Sequence, residues 1–291
     1  MPVSIRPRRS SLYMPGSNAR ALEKGRALPA DQLILDLEDA VAPDAKAEAR
    51  RLITAALAEG GYGKREILVR TNGMDSPWGY DDLKAMASCG AHGLLLPKVE
   101  SADMVRKADR LMAESGAPTD MAIWCMMETP LGILNAREIA SASPRVGGFV
   151  MGTSDLAKDM HARHTPDRLP FLYALNACVL VARAYGLVAL DGVHLDLGDD
   201  AGFEASCRQG LELGFDGKTL IHPKTIDMAN TIFGPTAPEL AEAEAIIDAF
   251  EKAVSEGKGV VVLNGRLVEN LHVENARRLL GLARMIEDMA G

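Results

Sequence analysis

Eight short apolar runs punctuate the chain: SLYM (11–14), QLILDL (32–37), EILVRT (66–71), GLLLPK (93–98), IWCMME (123–128), GFVMGT (148–153), VALDGV (188–193) and KTLIHP (218–223). Segments with helical periodicity lie between most of them, such as PDAKAEARRLITAALAE and ADMVRKADRLMAES. A strand with one wet face alternates apolar and polar residues, whereas a near-continuous apolar run suits a strand covered on both faces. Eight such strands alternating with helices predict an α/β fold, a parallel (β/α)8 TIM barrel. A doubly wound open sheet is the structural alternative.

The pattern changes at Pro235. TAPELAEAEAIIDAFEKAVSEG reads as one amphipathic helix with Pro near its start and Gly at its end. GVVVLNGRLV reads as two short strands joined at Asn264-Gly265, a strong hairpin signal. HVENARRLLGLARMIEDMA is a last helix. The expected division is residues 1–235 as the catalytic barrel and 236–291 as a C-terminal α/β lid and oligomerisation segment, packed across the barrel mouth or onto a neighbouring subunit.

Composition narrows the partners. The 32 basic and 40 acidic side chains leave a net charge of −8, which argues against nucleic acid or an acidic membrane surface. An anionic small molecule would need a local basic pocket. Cys89, Cys125, Cys178 and Cys207 are scattered and form no CxxC pair, so reduced thiols are expected and a zinc site is not. No run of about 18 apolar residues suggests a membrane span. The basic start MPVSIRPRRS lacks the apolar segment of a signal peptide. The expectation is a cytoplasmic protein.

Polar residues collect where the strands end. Asp36, Glu38 and Asp39 follow strand 2, and Arg70 closes strand 3. Lys98, Glu128, Asp155 and His222 end strands 4, 5, 6 and 8. In a barrel these ends share one face, where active sites are built. Glu128 and Asp155 would stand on adjacent strands, about 5 Å apart or slightly less. Two bare carboxylates so close repel, and one tends to protonate. A divalent cation removes the conflict, and oxygen-only donors favour Mg²⁺, which takes one or two carboxylates plus water and substrate. The competing reading pairs Glu128 with a barrel Lys or Arg and makes Asp155 a helix N-cap. Arg70 is either a buried counter-ion for the strand 2 carboxylates or a fork for a substrate carboxylate or enolate oxygen. Arg20 and Lys24 share a helix face after a Gly-Ser-Asn turn, as a phosphate site or a solvated basic face.

Taken together, LYMPGSNARALEKGRALPADQLILDLEDAVAPDAK, LVRTNGMDSPWGYDDL, LLLPKVE, MMETPLGILNA, MGTSDLAKDM and GFDGKTLIHPKTI resemble the citrate lyase β-subunit/malyl-CoA lyase group of the HpcH/HpaI aldolase superfamily. The resemblance runs from about residue 8 to the C-terminus. It implies a (β/α)8 barrel with a lid, assembled as a homotrimer or homohexamer. It implies Mg²⁺, with Mn²⁺ as a substitute, held by Glu128 and Asp155, and a substrate-facing Arg70. Glu38 and Asp39 fall in the family's LEDA segment, where they would orient Arg70 and metal-bound water. Coenzyme A would lie over the barrel mouth, with Arg20 and Lys24 meeting its phosphates. Tyr13, Pro15 and Gly16, with His222 and Pro223, would line the thioester channel. His161, His164 and His194 match no functional position.

The implied chemistry is magnesium-dependent cleavage of a 3-hydroxyacyl-CoA, such as malyl-CoA or citramalyl-CoA, to acetyl-CoA and a 2-oxo acid such as glyoxylate. One segment departs from the commoner lyase pattern. Where many members carry Asp in the lid, GRLVENLH puts Glu269, which moves the carboxylate outward by about one methylene, and small displacements matter to rate. The same segment resembles the lid of a relative that hydrolyses (3S)-malyl-CoA to malate and CoA, with Glu269 as base on water. Within the lid, Glu269 could equally act as a cap or salt bridge. A third expectation is a citrate lyase β-type subunit acting on an acyl-carrier partner.

Overall fold

The computed structural model describes residues 6–290. Eight parallel strands close on themselves in sequence order. They are β1 (Ser10–Pro15), β2 (Gln32–Asp36), β3 (Glu66–Arg70), β4 (Gly93–Leu96), β5 (Ala122–Met127), β6 (Val146–Met151), β7 (Val188–Asp191) and β8 (Gly217–Leu220). The predicted barrel is thus the observed one, and the open-sheet alternative falls because β1 pairs with both β2 and β8. Helices return the chain after each strand: α1 (Ala19–Gly25), α2 (Lys46–Glu59), α3 (Gly79–Met86), α4 (Ala102–Glu114), α5 (Pro130–Leu134) with α6 (Ala136–Ala140), α7 (Thr153–Asp159) with α8 (Leu172–Tyr185), α9 (Asp200–Leu213) and α10 (Ile226–Ile232).

Strand periodicity sorts the side chains into two cores. Ile34, Leu68, Leu95, Trp124, Met126, Val150 and Leu190 point inward and pack with Tyr13 inside the barrel. Their neighbours, including Leu33, Leu35, Val69, Cys125 and Phe149, point outward against the helices in a larger cluster. The barrel therefore has a filled interior. Gly148 makes room for the widest occupant, since a Cβ there would stand 2.5 Å from the Trp124 ring. Below this layer Arg8 donates to both oxygens of Glu66, at 2.5 and 2.8 Å. Gln32 donates to the same carboxylate at 2.6 Å. Those buried polar groups close the N-terminal end, so only the C-terminal end can admit a ligand.

The described residues fall into two compact units, the barrel from Arg8 to Phe233 and a second unit from Gly234 onward. The second unit is α11 (Ala237–Ser255), a hairpin of β9 (Val261–Leu263) and β10 (Arg266–Val268), and α12 (Asn270–Ala290). Thr236 and Glu239 form a reciprocal capping box that starts α11. Asn264 and Gly265 turn the hairpin with φ of 51° and 77°, as an Asn-Gly turn requires. Among the described residues no helix is long and apolar enough to cross a membrane.

Candidate active site

Strand parity builds the floor of the site. Ile34 and Leu68 face inward, so Asp36 and Arg70, two residues further on, do the same at the C-terminal rim. They are register partners across β2 and β3. Arg70 donates through Nε and Nη2 to the two oxygens of Asp36, at 2.7 and 2.6 Å. Its Nη1 lies 2.7 Å from Glu38 Oε2 and 3.6 Å from Asp39 Oδ2. The Glu38 contact is an ion pair off hydrogen-bond alignment, since that oxygen is buried without a hydrogen-bond partner. Burial works against the charge of Arg70, but Asp36 outweighs it and keeps the guanidinium protonated. The principal partner is therefore Asp36, one of the strand 2 carboxylates for which Arg70 is a counter-ion candidate in the sequence, though not one expected as a site residue. Its matching parity with Arg70 was the available signal.

Glu128 follows β5 directly and is 3% exposed. The chain turns away at once because Thr129 caps α5 by accepting from Gly132 N, with Pro130 at the first helical position. Glu128 Oε1 accepts the backbone N–H of Lys98 at 2.8 Å. Lys98 reaches that pose with a left-handed φ of 47°, and its Nζ lies 3.5 Å from Asp155 Oδ1. Burial, opposed by the Lys98 N–H and reinforced by Asp155, pushes the Glu128 carboxyl up to about 7. Burial also pushes Glu38 to about 8; Arg70 opposes this, while Asp39 and Glu128 add to it. Five carboxylates, Asp36, Glu38, Asp39, Glu128 and Asp155, thus share this mouth with Arg70 and Lys98, while the nearby Lys46 ammonium is taken up by the Leu37 and Glu38 carbonyls.

Asp155 corrects an expectation. It neither ends β6 nor caps the next helix. Strand β6 stops at Met151, Gly152 is the N-cap, and Asp155 is the third residue of α7. The helix N-terminus favours a carboxylate there. Gly152, register-adjacent to Glu128, leaves the space the second carboxylate oxygen needs. A Cβ at 152 would collide with Glu128 Cβ and Oε2, and would stand 3.1 Å from Met126 Cε. Residues Glu128 and Asp155 therefore fit a hard dication. They are oxygen donors only, Glu128 Oε2 lies against Gly152 where a side chain would displace it, and negative charge is in excess. No group of three or more His, Cys, Asp or Glu among the described residues is arranged for a metal, and a carboxylate pair completed by water and substrate is the usual Mg²⁺ pattern.

Of the other predicted residues, Tyr13 and Pro15 adjoin this cluster, Pro15 as the register partner of Asp36. Tyr13 faces into the barrel with its ring beneath the Arg70 guanidinium, 4.8 Å from carbon to centroid, and Pro15 ends β1. Arg20 and Lys24 are exposed on α1, whose Ala21 N–H is already taken by the Asn18 side chain. His222 is exposed and accepts from Lys224 N ahead of a short turn that begins at Pro223. In the second unit Glu269 precedes α12, its N–H donating to His272 Nδ1 at 3.0 Å. His161 and His164 lie beyond α7, with His164 against Phe171, and His194 lies against Phe203.

Residues 9–223 match the family model described as HpcH/HpaI aldolase/citrate lyase. The chain belongs to this family. Among HpcH/HpaI relatives, a (3S)-malyl-CoA thioesterase of Cereibacter sphaeroides is 50% identical over 280 residues, 96% of each chain. The citrate lyase subunit beta of Leuconostoc mesenteroides subsp. cremoris is 38% identical, over 96% of this chain and 94% of the relative. Among solved HpcH/HpaI structures, CitE of Mycobacterium tuberculosis in complex with magnesium, acetoacetate and coenzyme A is 27% identical. It superposes with a TM-score of 0.75, over 96% of this chain and 97% of the other.

Proposed function

We propose that this protein hydrolyses the thioester of a 3-hydroxyacyl-CoA of the (3S)-malyl-CoA type, using the barrel mouth and Mg²⁺. The observation that carries this reading is the 50% identity, over 96% of both chains, to a (3S)-malyl-CoA thioesterase. The acid-rich mouth supplies the chemistry. Glu128 and Asp155 would hold the ion, and Glu38 and Asp39 would orient Arg70 and bound water. When bound, Mg²⁺ would act as Lewis acid and template for the substrate's carboxylate and hydroxyl oxygens.

Arg70 is preorganised by Asp36 and presents positive charge where the thioester oxygen becomes negative. Glu269 takes a proton from water as its oxygen bonds to the thioester carbon. The carbon–sulfur bond then breaks, and the CoA thiolate leaves and is protonated. Arg20 and Lys24 meet the phosphates of CoA, while Pro15, His222 and Pro223 flank its thioester arm. The catalytic unit is a cytoplasmic homotrimer or homohexamer.

A second reading is carbon–carbon cleavage of the same class of substrate to acetyl-CoA and glyoxylate. It is favoured by a family relative, CitE, whose structure holds magnesium, acetoacetate and coenzyme A together. One experiment separates the two. (3S)-Malyl-CoA is incubated with the protein and Mg²⁺, and free thiol and glyoxylate are followed separately. Hydrolysis gives thiol without glyoxylate. Glyoxylate in step with substrate loss, without thiol, overturns the hydrolytic reading and leaves the lyase. Turnover only of an acyl-carrier-bound substrate would instead make the chain a citrate lyase β-type subunit.

A further inference from the structure

The guanidinium of Arg70 is held at its edge and on one face. Nε and Nη2 are locked to Asp36 at 2.7 and 2.6 Å, and Nη1 stands 2.7 Å from Glu38. The Asp36 contacts fix that edge, and the Glu38 contact, off hydrogen-bond alignment, holds Nη1 only loosely against rotation about it. The Tyr13 ring closes that freedom, with Arg70 Cζ 4.8 Å from its centroid. The ring itself cannot move far. It stands on β1 and packs against the interior cluster of Ile34, Leu68, Met126 and their neighbours. Among the described residues its hydroxyl donates to Met126 Sδ alone, at 3.4 Å, a weak acceptor. Burial raises the phenol above its ordinary range, so it stays neutral. A neutral ring beneath a cation attracts it through the quadrupole, and more strongly when water is excluded.

We propose that Tyr13 is a positioning residue for Arg70: its ring sets the plane of the guanidinium and turns the remaining N–H groups toward the mouth. This rests on Arg70 acting as the thioester-oxygen donor in the function proposed above. The ring carries the role and the hydroxyl does not. Lining a CoA channel, the role expected for Tyr13 from the sequence, would leave Arg70 indifferent to what stands at position 13.

The test compares Tyr13→Phe, Tyr13→Leu, Arg70→Ala and the Tyr13→Leu/Arg70→Ala double variant on (3S)-malyl-CoA with Mg²⁺. Tyr13→Leu is expected to lower kcat about tenfold, as loss of aim at a developing charge does, with KM within threefold and Mg²⁺ affinity unchanged. Tyr13→Phe restores kcat to within about twofold of the native value, the hydroxyl having only sulfur as partner. The double variant is no slower than Arg70→Ala alone, because Tyr13 acts through Arg70. Equal loss in Phe and Leu variants, additive losses in the double variant, or an unaffected Leu variant each overturn the proposal.

A second readout needs no turnover. In the NMR spectrum the Arg70 Nε–H proton, assigned by its disappearance in Arg70→Lys, is shifted downfield by its hydrogen bond to Asp36 and upfield by the ring current. It is expected at nearly the same position in the native protein and Tyr13→Phe, and further downfield in Tyr13→Leu. An unmoved resonance sinks the stacking. If native protein turns over neither thioester nor carbon–carbon bond while the resonance moves as expected, the function reading fails and the positioning of Arg70 stands.

Discussion

Two of the barrel's buried sets of charges are balanced in opposite senses. In the wall, between the sheet and its helices, Asp191 at the end of β7 receives Lys218 Nζ at 2.7 Å and both of its oxygens receive Arg168 Nη1 at 2.7 Å. One carboxylate there meets two cations, and Asp191 and Lys218 are each 0% exposed. At the mouth five carboxylates meet Arg70 and Lys98. Burial raises Asp191, but Lys218 and Arg168 more than offset it and hold the carboxyl below its usual range. At the mouth the same burial wins, carrying Glu128 to about 7 and Glu38 to about 8. The wall cluster pairs its one carboxylate on both oxygens and faces the helices, away from the mouth, which reads as architecture. The mouth is a site short of positive charge, which a dication with its substrate would supply.

Breaking the wall should give the largest effect on stability. Asp191→Asn leaves Lys218 and Arg168 buried without their anion. Removing one partner of a buried pair costs about 3–5 kcal/mol, which is roughly 10 °C in Tm for a domain of this size. Thermal unfolding measures it, and a fall of under 2 °C would refute the assignment. Stability from Asp191 is fully present above its unfolded value, about 3.9, and is lost only as pH falls through the lower folded value.

Breaking the mouth at its cation comes next, and it should appear in rate. Arg70→Ala removes one preorganised donor and is expected to lower kcat by about 10²–10³, roughly 3–4 kcal/mol. It also strands Asp36, so rates are to be compared well below the variant's Tm. Near-native turnover would exclude Arg70 from the chemistry.

The contrast between wall and mouth also explains what the sequence could reveal. Strands covered on both faces become unbroken apolar runs, so all eight were visible, and the C-terminal rim followed from the barrel. Partners were less visible, because they depend on register and on which way a side chain points. Arg70 meets Asp36 rather than chiefly Glu38 and Asp39 because β2 and β3 pair Asp36 with Arg70. Asp155 looked like a strand end because GFVMGT stays apolar past Met151, yet Gly152 already caps a helix. The left-handed backbone at Lys98 has no periodic signature in Pro97-Lys98. The wall cluster was missed altogether, since Arg168, Asp191 and Lys218 meet only after the barrel closes.

Charge deficiency at the mouth has a pH signature opposite to that of the wall. Groups raised to about 7 and about 8 hold protons that the unfolded chain releases near 4.3. Their contribution to stability is full below that unfolded value and is lost as pH rises through the folded values. Mg²⁺ should reverse this loss. At pH 8 a concentration 100-fold over the dissociation constant adds about 2.7 kcal/mol, several degrees in Tm, with a smaller gain at pH 6. Glu128→Gln and Asp155→Asn should abolish the gain. An equal Mg²⁺ gain in those variants would remove the two residues from the ion's site.

Gly152 sharpens the same point at smaller scale. Gly152→Ala places a methyl against Glu128 Cβ and Oε2, so the carboxylate must rotate away. Mg²⁺ affinity is expected to weaken about tenfold, or 1.4 kcal/mol, read by titration calorimetry. Gly152 lacks a positive φ, but the close approach to Glu128 Cβ cannot be relieved by rotation, so the strand ends must shift and the affinity is to be titrated well below the variant's Tm. Unchanged affinity would mean the inner oxygen of Glu128 is not a ligand.

The smallest effect is expected just beyond α7. His161 and His164 are the residues whose spacing most resembles a metal pair, and both are exposed. His161 sits in a turn with φ of 53°, and His164 stacks on Phe171 with ring centroids 5.1 Å apart. Neither is among the mouth carboxylates, and oxygen ligands rather than imidazole suit Mg²⁺. Replacing both with Ala should leave kcat and Mg²⁺ affinity within about twofold of native, as surface changes usually stay within ±0.5 kcal/mol. If the double variant lost magnesium, the excess of carboxylates at the mouth would no longer explain where the ion goes, and the imidazoles would have to replace Glu128 and Asp155 as its ligands.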